Sequence, residues 1–153
     1  MYWVKKIFSF SLVFPLIFFI HCTMAKNANK NKSTQQENTA SCVEFIMQQD
    51  DSLGAVRNHA CKKISLSRAI SQYVNAIEQL DFSRCPEEFS LAFQKHINAW
   101  KEMIKLTDQF PHLRGEMHTL FTTIAETKAK EKFAPLLKAI WDTWAEVENA
   151  QLD

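Results

Sequence analysis

"SRCPEEFSLAFQKHINAW", residues 83–100, carries the clearest fold signal in the chain. Phe89, Phe93, His96 and Trp100 recur at steps of four, three and four, and Met103 follows three further on. That spacing keeps side chains on one face of an α-helix. Pro86 suits a first helical turn, where its missing N–H costs nothing, and Glu87 and Glu88 complement the positive end of the helix dipole. The pattern predicts a helix over 86–107, with "QFPHLRG" turning the chain after it. The stripe itself has two readings: a ligand site built on His96 and Trp100, or the buried seam of a bundle.

The same period extends outward. Leu66, Ile70, Tyr73 and Ile77, then Leu80, predict a helix over 66–80, with the Ser65 hydroxyl as its N-cap. Leu113, Met117, Leu120 and Ile124 predict one over 112–125, weakened near its start by Gly115. Phe133, Leu137, Ile140, Trp144 and Val147 predict one over 133–149, beginning at Phe133 or Pro135 because a proline is housed only near a helix start. "CVEFIMQQ" suggests a short helix over 43–49, and "DDSLGAVRNHA" a loop or second short helix. With two glycines in 153 residues and little alternating polarity, a β-rich fold is excluded. Short connections favour antiparallel neighbours, so the expected fold is all-α. It is an up-down four-helix bundle with an additional short N-terminal helical segment, forming one domain over 42–153.

The first residues read as an address. Lys5 and Lys6 precede an almost wholly apolar run, Ile7 to Ile20, of secretory length, and Thr23-Met24-Ala25 places small residues where a signal peptidase reads. The reading is a signal peptide over 1–25. Its rivals are a lipoprotein acylated on Cys22, disfavoured by the bulky His21 before it, and an uncleaved anchor. Residues 26–41, "KNANKNKSTQQENTAS", hold no apolar residue larger than alanine and are expected to be a disordered leader or tether. Cleavage would remove two lysines and no acids, turning a net charge of +1 into −1. So balanced a chain lacks the basic field that gathers nucleic acid.

Export gives the cysteines meaning, because an oxidising compartment favours disulfides. Residues 61 and 85 bracket the 66–80 helix, which would hold them about 20 Å apart at 1.5 Å per residue, against a disulfide's Cα separation of about 4.4–6.8 Å. Cys42–Cys61 is therefore the expected bridge, Cys42–Cys85 the second choice, and Cys85 the expected free thiol.

Site chemistry is sparse. His112 and His118 are six apart and swing to different helix faces, unlike the closely spaced pairs of zinc sites. With Met117 they are the residues a metal could use. A covalent haem motif, a nucleophile elbow and a phosphate-binding glycine loop are all missing from the sequence. No cofactor is expected. Tyr73, His96, Trp100, Trp141 and Trp144 could line a cofactor or ligand pocket. Aromatics at this spacing are equally core, and the expectation is a close-packed seam without a vacancy among the rings, His96 meeting Trp144 or Trp141. If His96 is core, leucine in its place should be tolerated. The function that elimination favours is an exported accessory protein of the envelope, binding a protein partner through a helix face. The alternative is a small-ligand, haem or metal carrier using the interior near His96, Trp100 and Trp144, and the third reading is an unrecognised hydrolase.

Overall fold

The computed structural model describes residues 20–151, with side chains from residue 37 onward. All its regular structure is helical: α1 (Ile20–Ala60), α2 (Leu66–Ile77), α3 (Glu87–Thr107), α4 (Met117–Ala125) and α5 (Lys130–Ala150), with no strand among the described residues. The chain divides into two compact units, one ending at Gln36 and one beginning at Glu37. Of the first, the structure describes helical backbone from Ile20. The apolar run proposed as a signal lies almost wholly outside the described residues.

The second unit is centred on α3, which packs against α2 and α5, while α4 lies on α5. Every member of the opening stripe is buried: Phe89, Phe93, His96, Trp100 and Met103. Phe89 and Phe93 sit 5.5 Å apart between ring centroids, and Phe93 continues to His96 at 6.2 Å. Burying each phenylalanine contributes about 1.5–3 kcal/mol, so this file of rings anchors the bundle. Lys95–Glu146 and Lys101–Glu78 link α3 to α5 and α2 at the surface, where such exposed pairs contribute about 0–1 kcal/mol each.

The helix ends show what local chemistry controls. Ser65 caps α2, its hydroxyl accepting from Arg68 N–H at 3.4 Å. Pro86 stands just before α3, and its carbonyl accepts from Ser90 N–H at 3.0 Å. α4 begins at Met117 rather than at residue 112, because Gly115 adopts a φ of 148°, a backbone state that interrupts a helix. Gly115 N–H there donates to the Cys61 carbonyl at 3.0 Å, tying the turn to the end of α1. Gly115→Ala is therefore expected to destabilise the unit by about 1–3 kcal/mol, read as a lowered denaturant midpoint with unchanged slope. An unchanged midpoint would show that the turn relaxes freely.

α5 corrects the expectation about Pro135. The helix starts at Lys130 and carries Pro135 inside it. The proline leaves the Glu131 carbonyl without its i+4 donor, but both residues are exposed, so water can serve that oxygen.

α1 is the larger correction. Residues 26–41, expected to be disordered, have helical backbone, and 43–60 is neither a short helix nor a loop but the same helix continued. The polar segment contains no proline or glycine, and its Ala, Lys, Gln and Glu are good helix formers. Lack of apolar residues argues against burial, not against a helix.

That continuity also overturns the expected disulfide. The bond joins Cys42 to Cys85, with Cα atoms 5.2 Å apart, and Cys61 is the free, buried cysteine. On a continuous α1, residues 42 and 61 stand about 28 Å apart at 1.5 Å per residue. The geometry invoked against Cys61–Cys85 thus excludes Cys42–Cys61 too. The free thiol is not Cys85; Cys61 donates to the Arg57 carbonyl at 3.2 Å.

Candidate functional site

α1 faces the bundle with a row that carries Ile46, Asp50 and Arg57, with Cys61 just past its end, and two of these are charged. The Tyr73 hydroxyl donates a short hydrogen bond to Asp50 Oδ1. The Arg57 guanidinium lies over two ring faces, 4.5 Å from the Tyr73 centroid and 4.2 Å from that of Trp100. Stacking of this kind is worth about 0.5–2 kcal/mol and increases as the cation is desolvated. Burial works against both charges. It raises the Asp50 pKa above its usual value, opposed by the Tyr73 hydrogen bond and the Arg57 charge, and it pulls that of Arg57 down. Tyr73 is pushed strongly upward by burial and by the adjacent carboxylate, so its hydroxyl keeps its proton.

Beside this group the helices do not close. A cleft of about 350 Å³ opens where α1 faces α3 and α5. Tyr73, His96, Trp100, Trp141 and Trp144, all candidates from sequence, line it together. Met117 and His118 of the metal candidates reach it as well, whereas His112 sits exposed in the turn before α4 and does not. Among the described residues no three His, Cys, Asp or Glu side chains converge as a metal site. Asp50, Asp51, Gly54 and Arg57, which also line it, were missed because their segment reads as a loop. The expectation of a seam without a vacancy is therefore corrected: rings at core spacing surround an opening.

The seam reading nonetheless describes His96. Trp100 Nε1–H donates to His96 Nε2 at 3.0 Å, and His96 Nδ1 lies 3.1 Å from Thr143 Oγ1, whose own hydroxyl donates to the Ala139 carbonyl at 2.7 Å. These partners define one tautomer, with the proton on Nδ1 and the lone pair on Nε2 facing the indole. The ring packs at 5.2 Å against Trp144, tilted by 54°, as expected for a seam. Burial first, and then the positive charge of Arg57, lower its pKa from 6.5 to about 4. His96 is thus neutral, and both nitrogens are engaged. To ligate a haem or metal it would first have to give up the Trp100 bond.

Two stripe positions on α5, Leu137 and Trp144, are only half-buried although Phe133, Ile140 and Val147 around them are fully buried. Both line the cleft. Trp141, 58% exposed, stands at its mouth. No protein-family model, curated protein or solved structure matches the chain.

Proposed function

We propose that this protein binds a small, flat, largely apolar molecule in the cleft between α1, α3 and α5. The observation carrying the reading is the convergence of five aromatic side chains, Tyr73, Trp100, Phe121, Trp141 and Trp144, on one opening of about 350 Å³. That volume lies at the lower end of small-molecule pockets, about 300–1,000 Å³. An apolar wall with a few fixed polar groups is their usual composition. No step of a reaction is proposed: His96 has both nitrogens committed, and Asp50 is occupied by Tyr73. We place the protein outside the cytoplasm, exported by its N-terminal run and freed after Ala25 or held by a lipid on Cys22, with α2–α5 as an up-down antiparallel bundle. The Cys42–Cys85 bond supports an oxidising compartment.

A protein partner met through a helix face, the reading elimination favours, would use exposed apolar residues such as Phe45, Val56 and Leu91. Single exposed apolar side chains occur on most surfaces, and the aromatic cleft is the more specific feature. In the test, 2-naphthylmethanol is titrated into the protein while the tryptophan indole N–H signals are followed by NMR. Saturable shifts of the Trp100, Trp141 and Trp144 signals, weakened several-fold by Trp141→Ala, are expected. Absence of any shift at millimolar probe would remove the cleft as a binding site and return the partner reading to first place.

A further inference from the structure

We propose that the ligand of this cleft carries an anionic group, a carboxylate or its equivalent, which pairs with Arg57 while its ring body lies against Trp141 and Trp144. The inference rests on the small-ligand reading above and adds the charge of the ligand to it.

Arg57 differs from the other cations of the unit. The ion pairs among the described residues use Lys62, Lys95, Lys101, Lys105 and Lys138, and none uses Arg57. Its Nε donates to Asn58 Oδ1 at 3.3 Å, its guanidinium carbon sits 4.5 and 4.2 Å from the Tyr73 and Trp100 ring centroids, and the Tyr73 hydroxyl and the Asp50 carboxylate both act on its charge. A guanidinium carries five donors in a rigid fork, and those not taken up by these neighbours can grip a carboxylate through two parallel hydrogen bonds. Such a site is already ordered, so binding costs little side-chain entropy.

The other titratable groups facing the cleft are Asp50, Asp51, His118 and the neutral His96. Asp51 and His118 are exposed, so solvent screens them. Asp50 is the counter-charge beside Arg57, and one of its oxygens is occupied by the Tyr73 hydroxyl. The faces of Tyr73 and Trp100, which could otherwise cage a ligand cation, are covered by Arg57 itself. The sheltered group with donors left to offer a ligand is therefore the Arg57 guanidinium.

Gly54 supplies an independent sign. It lies inside α1 with an ordinary helical backbone, where glycine is less favourable than alanine by about 0.5–1 kcal/mol. Packing does not demand it: a Cβ built there meets only Arg57 Nη2, at 3.7 Å. A methyl there would lie against that nitrogen, one turn along the helix, and narrow the approach to it.

The experiment uses three probes with one ring body and different charge: 2-naphthoate, 2-naphthylmethanol and 2-naphthylmethylammonium, titrated into the oxidised protein by calorimetry. Naphthoate is expected to bind at least about tenfold tighter than the alcohol, as one charge-assisted pair implies, and the ammonium weakest. Arg57→Met should abolish the preference. Gly54→Ala should melt at or above the wild-type temperature and yet bind naphthoate several-fold more weakly, which separates lost binding from lost folding. Equal binding of naphthoate and the alcohol, tightest binding of the ammonium, or undiminished naphthoate binding by Gly54→Ala each overturns the assignment to an anion while the cleft reading stands. Failure of all three probes to bind overturns the cleft reading and this inference with it.

Discussion

Acidification from neutral pH to about pH 4 will cost the fold about 3 kcal/mol through His96 alone. The unfolded chain takes up a proton on this histidine near its ordinary pKa of 6.5, whereas the folded protein refuses it down to about 4. Between those values the unfolded state holds the extra proton, so stability rises with pH there, by about 1.4 kcal/mol per unit. The contribution is complete above 6.5 and gone by about 4. Asp50 opposes it, because burial raises its folded pKa, so the folded state gains on acidification through that group. A difference measurement isolates His96: urea midpoints at neutral pH and at about pH 5, for wild type and His96→Leu. Wild type should lose stability over that interval and the variant should lose much less. Equal slopes for the two, or the His96 imidazole titrating near 6.5 by NMR, would refute the buried neutral histidine.

The same variant revises the expectation that leucine is harmless at residue 96. Removing the ring leaves the Trp100 N–H, on a side chain only 5% exposed, without its acceptor. An orphaned buried donor costs about 1–3 kcal/mol. At neutral pH His96→Leu is therefore expected to destabilise by that amount. Trp100→Phe, which removes the donor, should cost less in the His96→Leu background than alone. Additive effects would show that the two rings act separately.

How much of this was legible in the sequence varies helix by helix. The stripe on α3 was readable because the entire side-chain row is buried, and burial on one face is what periodicity reports. The clue to the cleft lay in α1, where residues 42, 46, 50, 54 and 57 share one face. Asp50 and Arg57 on an inward row break the apolar period, so the segment reads as a loop. The charges that hid the helix are those that make the site. On α5, sequence placed Leu137 and Trp144 on the stripe but could not say which stripe residues stay half-open, since that depends on how closely α1 approaches. The disulfide failed for the same cause. A rigid-helix distance rule was sound for residues 61 and 85, but without α1 as one helix it had no purchase on 42 and 61.

Loss of the Cys42–Cys85 bond is the substitution with the largest expected effect. The cysteines are 43 residues apart in sequence, and closing a loop of that length in the unfolded chain is worth about 4 kcal/mol in the chain-entropy account, within the upper part of the measured range. Its effect should be local before it is global. From Glu37 to Ala60, Ile46 is the one fully buried side chain on α1. Beyond the disulfide the helix is held by the Asp50–Tyr73 hydrogen bond and the Arg57 stack. Since α1 supplies Asp50, Gly54 and Arg57 to the cleft, its release opens the site while the α2–α3–α5 packing persists. Reduced protein, or the Cys42→Ser/Cys85→Ser double variant, should show hydrogen exchange accelerating across 42–60 first, 2-naphthylmethanol binding lost, and the denaturant midpoint lowered. Alkylation of the unreduced, denatured chain should tag Cys61 and spare Cys42 and Cys85. A Cys42–Cys61 peptide in that digest, or a double variant that melts and binds like wild type, would mean that α1 is neither one helix nor held where the cleft needs it.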